Sequence, residues 1–374
     1  DRIEAFLRAY FAHVGADDLL GSSLEDLFGL AMEHARLGGE WESGSISVAV
    51  LNPRVDVDGW DSQHTVVMTV TDDLPFLVDS VTMEMSRLGL GIHLVVHPIL
   101  VDRRHDGMDF ANPRDHEDGQ PGLCSFIAIE VDRQTDAAQL DAIRENVLRV
   151  IGDVRAACED WPGMRQRMRD IAADLADAAL PLDHAEVTEG RELLEWLAEN
   201  HFIFLGYREY RLDGDDLTAD AGSGLGILRS GGGAPPKARK LTDMAPQVAA
   251  RADEPRLLNL TKAGSKSTVH RASYLDYVGV KIFDETGRVS GEQRFLGLYT
   301  SEVYTRSVTR VPRVQRLVAE VLERAAYPPG GHDAKRLLNI LEDYPRDELL
   351  QIDADELFET AMAIAGLQER RRAR

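Results

Sequence analysis

Four features of this 374-residue chain combine residue types and spacings that could do chemistry: His93 with His97, Asp72 with Asp73, Cys124 with Cys158, and a glycine run at 222–226. His93 and His97 share one face of an apolar strand-like run. At about 3.3 Å per residue they stand roughly 13 Å apart, too far for one metal ion without a bend. Asp72 and Asp73 alternate sides at a strand end, which suits helix capping better than a paired acid/base device. The glycine run supplies Gly222, Gly224 and Gly226, but Ile227 stands where the third glycine of a dinucleotide turn belongs, and no helix follows. A phosphate-binding Walker loop, a serine nucleophile elbow and a paired-histidine zinc helix are absent from the sequence. Cys124 and Cys158 lie on apolar patterns and read as buried thiols; two cysteines make no disulfide framework and fit a reducing cytoplasm. A self-contained enzyme would have to draw a pocket from His201, Lys262, Lys266, His270 and Asp276, and no spacing anchors one. Neither a catalytic residue nor a metal site is expected.

The stretch "TDDLPFLVDSVTMEMSRLGLGIHLVVHPIL", residues 71–100, offers geometry instead. A helix over 75–88 presents Leu77, Val78, Val81, Met85 and Leu88 on one side. Asp73 can cap it, Pro75 suits its first turn, and Gly89 and Gly91 end it. A helix start with free backbone N–H groups just past a strand readily receives a carboxylate. Asp72, Asp73, Leu74, Pro75, Phe76, Gly89 and Gly91 are therefore the candidate effector-binding residues. A cap with no ligand satisfies the same spacing.

The elements around this stretch follow from periodicity. Amphipathic helices occupy 1–40, strands 46–51 and 64–70, a buried strand 92–101, a strand 123–131 and a strong helix 136–158. The order β-β-α-β-β-α becomes βαββαβ when its first strand is moved to the end, which predicts a ferredoxin-like antiparallel sheet with two helices on one face. ACT domains share this plan. A helical linker over 161–199 precedes a second, mostly antiparallel β unit over 200–308, compatible with a PAS-like architecture. Within it, 274–304 forms a long hairpin turning at 284–291. Residues 309–374 return to helix. The fold class is α+β, with an ACT-like unit over 44–160 and helical linkers.

A net charge of −22 argues against nucleic acid or an anionic membrane as partner. Residues 256–319 depart from this, with eleven Lys and Arg against five Asp and Glu. No lysine precedes Lys237, so no lysine chemistry is available in the first 236 residues. A start at Asp1 without methionine and an abrupt helical end read as a segment of a longer chain.

Three stretches carry a resemblance: 71–100, "WLAENHFIFLGYREY" at 196–210 and "STVHRASYLDYVGVKIFDETGRVSGEQRFLGLYTSEVY" at 267–304. They resemble the large NAD-specific glutamate dehydrogenases of bacteria along nearly the whole chain. The resemblance implies an N-terminal region with an ACT-like and a PAS-type domain, remote from the catalytic core. It implies NAD and oxidation of L-glutamate for the parent protein, and no cofactor in this segment. Implied partners are further copies of the chain, the downstream domains and a small amino-acid effector. A scaffold that binds no small molecule is the alternative.

Overall fold

The computed structural model describes residues 2–102, 110–111, 122–229, 239–243 and 254–372, and most of the stretch between the strands expected over 92–101 and 123–131 lies outside them. The chain divides into two compact units: 1–158 with 267–272, and 159–266 with 273–374.

Unit 1 begins with helices α1 (Arg2–Tyr10), α2 (Ala16–Leu19) and α3 (Leu24–Gly39). Ser23 starts α3 by accepting the Asp26 N–H at 3.0 Å, as a capping serine does. Strand β1 (Ser47–Leu51), short helix α4 (Val55–Asp58), β2 (Thr65–Asp72), helix α5 (Leu77–Arg87), β3 (Ile92–Val96), β4 (Ile99–Asp102), β5 (Phe110–Ala111) and β6 (Leu123–Val131) follow. The sheet is antiparallel throughout, in the order β1-β2-β6-β4-β5, with β3 also on β6. Once β1 is placed last, this is the ferredoxin-like arrangement that the permuted element order predicts.

Two expectations need correction. The single strand over 92–101 is two strands, because Pro98 has no N–H to give the ladder and its carbonyl instead accepts from Phe126 at 3.0 Å. The sheet also carries helices on both faces. Val66, Met68, Val70, Phe126 and Ala128 pack with Phe6, Tyr10, Leu30, Ala31 and Ala35 of the N-terminal helices, while α5 packs against β3 and β6. Both faces of β2 and β6 are therefore apolar, and a run such as "TVVMTVT" is buried along its whole length.

Gly29 in α3 marks a close approach, since a Cβ there would stand 2.3 Å from the buried Trp60 side chain. Alanine normally improves a helix interior by about 1 kcal/mol over glycine. Gly29→Ala is expected instead to cost about 1–3 kcal/mol by overpacking. Hydrogen exchange in α3 and β2 would reveal a stabilising change if the helix-propensity term won.

Helix α6 (Ala137–Asp177) runs through Pro162, so the helix expected over 136–158 continues without a break into the expected helical linker; Pro162 leaves the Cys158 carbonyl without its usual amide donor. Helix α7 (His184–Trp196) is capped by Asp183, which accepts the Ala185 N–H at 3.0 Å.

The sheet of unit 2 comprises β7 (Phe202–Asp213), β8 (Asp216–Ala219), β9 (Leu225–Gly226), β10 (Arg239–Lys240), β11 (Leu258–Lys266), β12 (Tyr274–Phe283) and β13 (Val289–Tyr299). It is antiparallel in the order β10-β8-β7-β13-β12-β11, with β9 on β7. The β12–β13 hairpin turns where expected. Asp284 accepts the N–H groups of Thr286 and Arg288 at 2.8 and 3.0 Å, and Gly287 takes a φ of +82°. Helices α8 (Ser301–Thr305), α9 (Val314–Ala325), α10 (His332–Glu342), α11 (Arg346–Leu349) and α12 (Ala354–Arg372) complete the unit. One sheet face, through Tyr207, Val278, Val280 and Phe295, shares a core with Met164, Leu193, Val318, Leu341 and Leu357 from the helices.

Candidate functional site

Among the described residues, no group of metal-ligating side chains assembles and no helix is long and apolar enough to cross a membrane. His93 stacks on His64 at 3.9 Å and meets Asp132 at 2.8 Å, whereas His97 meets Ser125 at 2.8 Å. Burial, and secondarily the charge of His13, pushes His97 below its ordinary value. The buried Cys124 thiol donates to the Leu100 carbonyl at 3.4 Å, and both cysteines are free of disulfide bonds.

The glycine run serves packing. A Cβ at Gly226, whose φ is +60°, would meet the Leu205 carbonyl at 2.1 Å, so only glycine lets this turn lie against β7. The Gly226 N–H donates to Asp160 at 2.7 Å, and Arg229 holds the same carboxylate at 2.7 and 2.9 Å. A dinucleotide phosphate does not fit where a carboxylate already takes the amide.

Of the five residues that a self-contained enzyme would need, Lys262 and Asp276 pair with each other. His270 belongs to unit 1 and the other four to unit 2. Lys262 is bound by Asp276 at 2.5 Å and Asp347 at 3.1 Å, and His201 stacks on Trp196 at 3.9 Å with Glu302 at 3.2 Å. Lys266 lies over the Tyr274 ring at 5.7 Å.

The seven candidate effector residues separate into two groups at opposite ends of α5. Asp72 through Phe76 lie at its start; Gly89 and Gly91 lie beyond its end, about 16 Å away at 1.5 Å per residue. Asp72 is held within the protein. Its carboxylate accepts from the Ser43 hydroxyl at 2.8 Å and the Gly44 N–H at 2.9 Å, and Arg155 stands at 3.2 Å while also binding Ser45 and Thr71. Asp73 does not cap α5, contrary to expectation. Phe76 occupies the cap position with a φ of +71°, and its side chain makes no capping hydrogen bond. Asp73 spends its N–H on the Leu123 carbonyl at 3.1 Å, and burial raises its carboxyl above the usual carboxylate range. Leu74 leads from Asp73 into a turn formed by Pro75 and Phe76. Gly89 takes a φ of +76°, as a helix-ending glycine should. The Gly91 N–H donates to Asp132 at 2.7 Å, and a Cβ there would press on that carboxylate at 2.9 Å.

Residues 267–272 are what sequence reasoning did not place at this site. They form a strap within unit 1, anchored by the fully buried Val269. The His270 N–H donates to Ser80 Oγ at 3.0 Å, its imidazole faces Asp79 at 3.3 Å, and its ring meets Phe76 at 4.7 Å. Thr268 donates to Asp153 on α6 at 2.8 Å. Phe76 and His270 both hold positive φ, a conformation that costs L residues about 1–2 kcal/mol each and persists only where surroundings impose it. Separation of 191 residues between Asp79 and His270 hides such a pairing from any local pattern.

Similarity to known proteins agrees with this architecture. Residues 6–147 match the sequence family of the glutamate dehydrogenase ACT1 domain, and residues 311–370 match glutamate dehydrogenase helical motif 1. The chain is 36% identical over its whole length to the NAD-specific glutamate dehydrogenase of Halomonas elongata and 37% to that of Pseudomonas aeruginosa, covering 23% of each. It is 26% identical over 91% of its length to the corresponding protein of Mycobacterium tuberculosis, covering 20% of it. The chain thus spans under a quarter of the relatives it matches, and with one of their domains at its start and their helical motif at its end it belongs to the family of NAD-specific glutamate dehydrogenases.

Proposed function

We propose that this chain is the regulatory and assembly region of a large cytoplasmic NAD-dependent glutamate dehydrogenase. The parent reaction converts L-glutamate and NAD to 2-oxoglutarate, ammonia and NADH, and this region contributes none of its catalytic groups. It works by holding copies of itself and the remaining domains of the enzyme in register, as a homo-oligomer. The 200–308 region acts as a PAS-type module; support comes from five antiparallel strands, β7, β8, β11, β12 and β13, whose sheet order is second, first, fifth, fourth, third among them along the chain.

One observation carries the assembly reading over amino-acid sensing at α5. The strap 267–272 already packs on the helix start, with His270 on Phe76, Asp79 and Ser80. The second reading, an amino-acid effector there, draws on Asp73. Its raised carboxyl would face an ammonium while first-turn amides face a carboxylate.

Thermal unfolding against each of the twenty amino acids separates the two. A ligand at ~100 times its Kd stabilises by about 2.7 kcal/mol, several degrees for one domain. The assembly reading expects no shift at ligand concentrations far above those of a sensor. A shift for one amino acid that Asp73→Asn abolishes would replace it with sensing.

A further inference from the structure

The strap 267–272 connects β11, which ends at Lys266, to β12, which starts at Tyr274, yet it packs within unit 1. It is folded on itself before it touches anything else. Ser267 Oγ donates to the Val269 carbonyl at 2.7 Å and accepts the Val269 N–H at 3.1 Å, and the Arg271 N–H donates to the same carbonyl at 3.0 Å. A turn closed by its own hydrogen bonds moves as one piece. Its hold on the rest of unit 1 runs through the fully buried Val269, the Thr268 bond to Asp153 and the contacts of His270 with Phe76, Asp79 and Ser80.

One hydroxyl joins the strap to the start of α5. Ser80 Oγ accepts the His270 N–H at 3.0 Å and donates to the Phe76 carbonyl at 2.6 Å. Phe76 and His270, ring against ring, both stand at positive φ, +71° and +72°. Residues with side chains stay there only where their surroundings hold them. Closure of the strap is thus opposed by two left-handed residues and by the ordering of six, and it is favoured by one buried valine and a few hydrogen bonds. The sheet of unit 1 carries no such load. Strands β2 and β6 pair over eight positions, Thr65 to Asp72, and are apolar on both faces. Elements so unequally held open separately, the weaker one while the stronger stays folded.

We propose that the strap 267–272 is a latch that opens and closes as one piece over the start of α5, with the sheet of unit 1 folded in both states. Closed, it seats Val269, covers Ser80 and keeps Phe76 left-handed. Open, it releases Phe76 to negative φ, which re-aims the chain entering α5 and loosens the first turn of that helix. The two ends of the strap are the ends of β11 and β12, so a shift of that strand pair acts on the latch through the chain itself. This goes beyond the assembly reading and stands whether or not an amino acid binds near α5.

Hydrogen exchange of the whole chain, read amide by amide with NMR, tests the latch. The Ser80, His270 and Arg271 amides should share one opening equilibrium, at least about a hundredfold more favourable than that of Val67 and Val70 in β2. Val269→Ala should favour opening at all three amides about tenfold and change β2 by less than about twofold. Thr268→Val is milder, since it removes only the bond to Asp153 on α6. It should shift the same three amides about threefold, the Ser80 amide included although Thr268 does not bond to it. Faster exchange at His270 and Arg271 with Ser80 unchanged would show that the strap does not govern α5. Equal acceleration in β2 would make the strap an inseparable part of the unit 1 core. Either result, in either variant, would overturn the proposal.

Discussion

Glu292→Gln is expected to destabilise the β12–β13 hairpin by about 3–5 kcal/mol, the usual cost of removing one partner from a buried ion pair. The substitution keeps the shape and removes the charge that Lys281 meets at 3.0 Å and Arg294 at 3.2 Å. Tyr277 donates its hydroxyl to the same carboxylate. Without that charge, the almost fully buried Lys281 ammonium faces an uncharged amide. The double replacement Lys281→Met with Glu292→Met should cost much less, because it removes both desolvation penalties together. Hydrogen exchange of the β12 and β13 amides reports this locally, without interference from unit 1. Equal losses in the single and double variants would show that the pair is not the source of the effect.

Unit 1 should lose about 3 kcal/mol of stability as pH falls from 6.5 to 4, through His34 alone. His34 is wholly buried between α3 and the sheet, with its ring 4.7 Å from that of Phe126. The Tyr10 hydroxyl donates to Nδ1 at 2.8 Å, and Nε2–H donates to the Thr69 carbonyl at 3.1 Å. Burial, partly countered by the Thr69 carbonyl, pushes its pKa down to about 4 from 6.5. Between those values the unfolded chain binds a proton that the folded chain refuses, so stability is full above pH 6.5 and falls with acidification. Protonation would place a second donor at Nδ1, against a hydroxyl already oriented to donate. Hydrogen exchange in α3 and β2 from pH 7 to pH 4 should follow this slope, and His34→Leu should flatten it. An unchanged slope in His34→Leu would assign the acid sensitivity elsewhere.

Periodicity alone placed most of the secondary structure, because apolar residues recur every second or every three to four positions wherever a strand or helix covers a core. The hairpin at Asp284–Arg288 was legible for a local reason, since the Asp and Gly of "DETGR" carry their own turn chemistry. The permuted βαββαβ order was legible too, because element order restricts how antiparallel strands can close.

Other features needed the folded chain. That α1 and α3 cover the second face of the sheet was hinted only by the unbroken apolar run of β2, which cannot say what covers it. Asp73 read as a cap because its type and position suit one, yet the backbone at Phe76 turned left-handed under the strap from 267–272. His34 gave no signal, because a histidine on a helix looks the same whether water or Phe126 lies beside it. Alternation along β12 and β13 puts Tyr277, Lys281, Glu292 and Arg294 on one polar face, and such a face is ordinarily solvated. The sequence by itself determined which residues share a face, since that depends on neighbours a few positions away. What closes over the face, and so whether its charges meet water, each other or a ligand, depended on residues tens to hundreds of positions distant, and only the tertiary structure decided it.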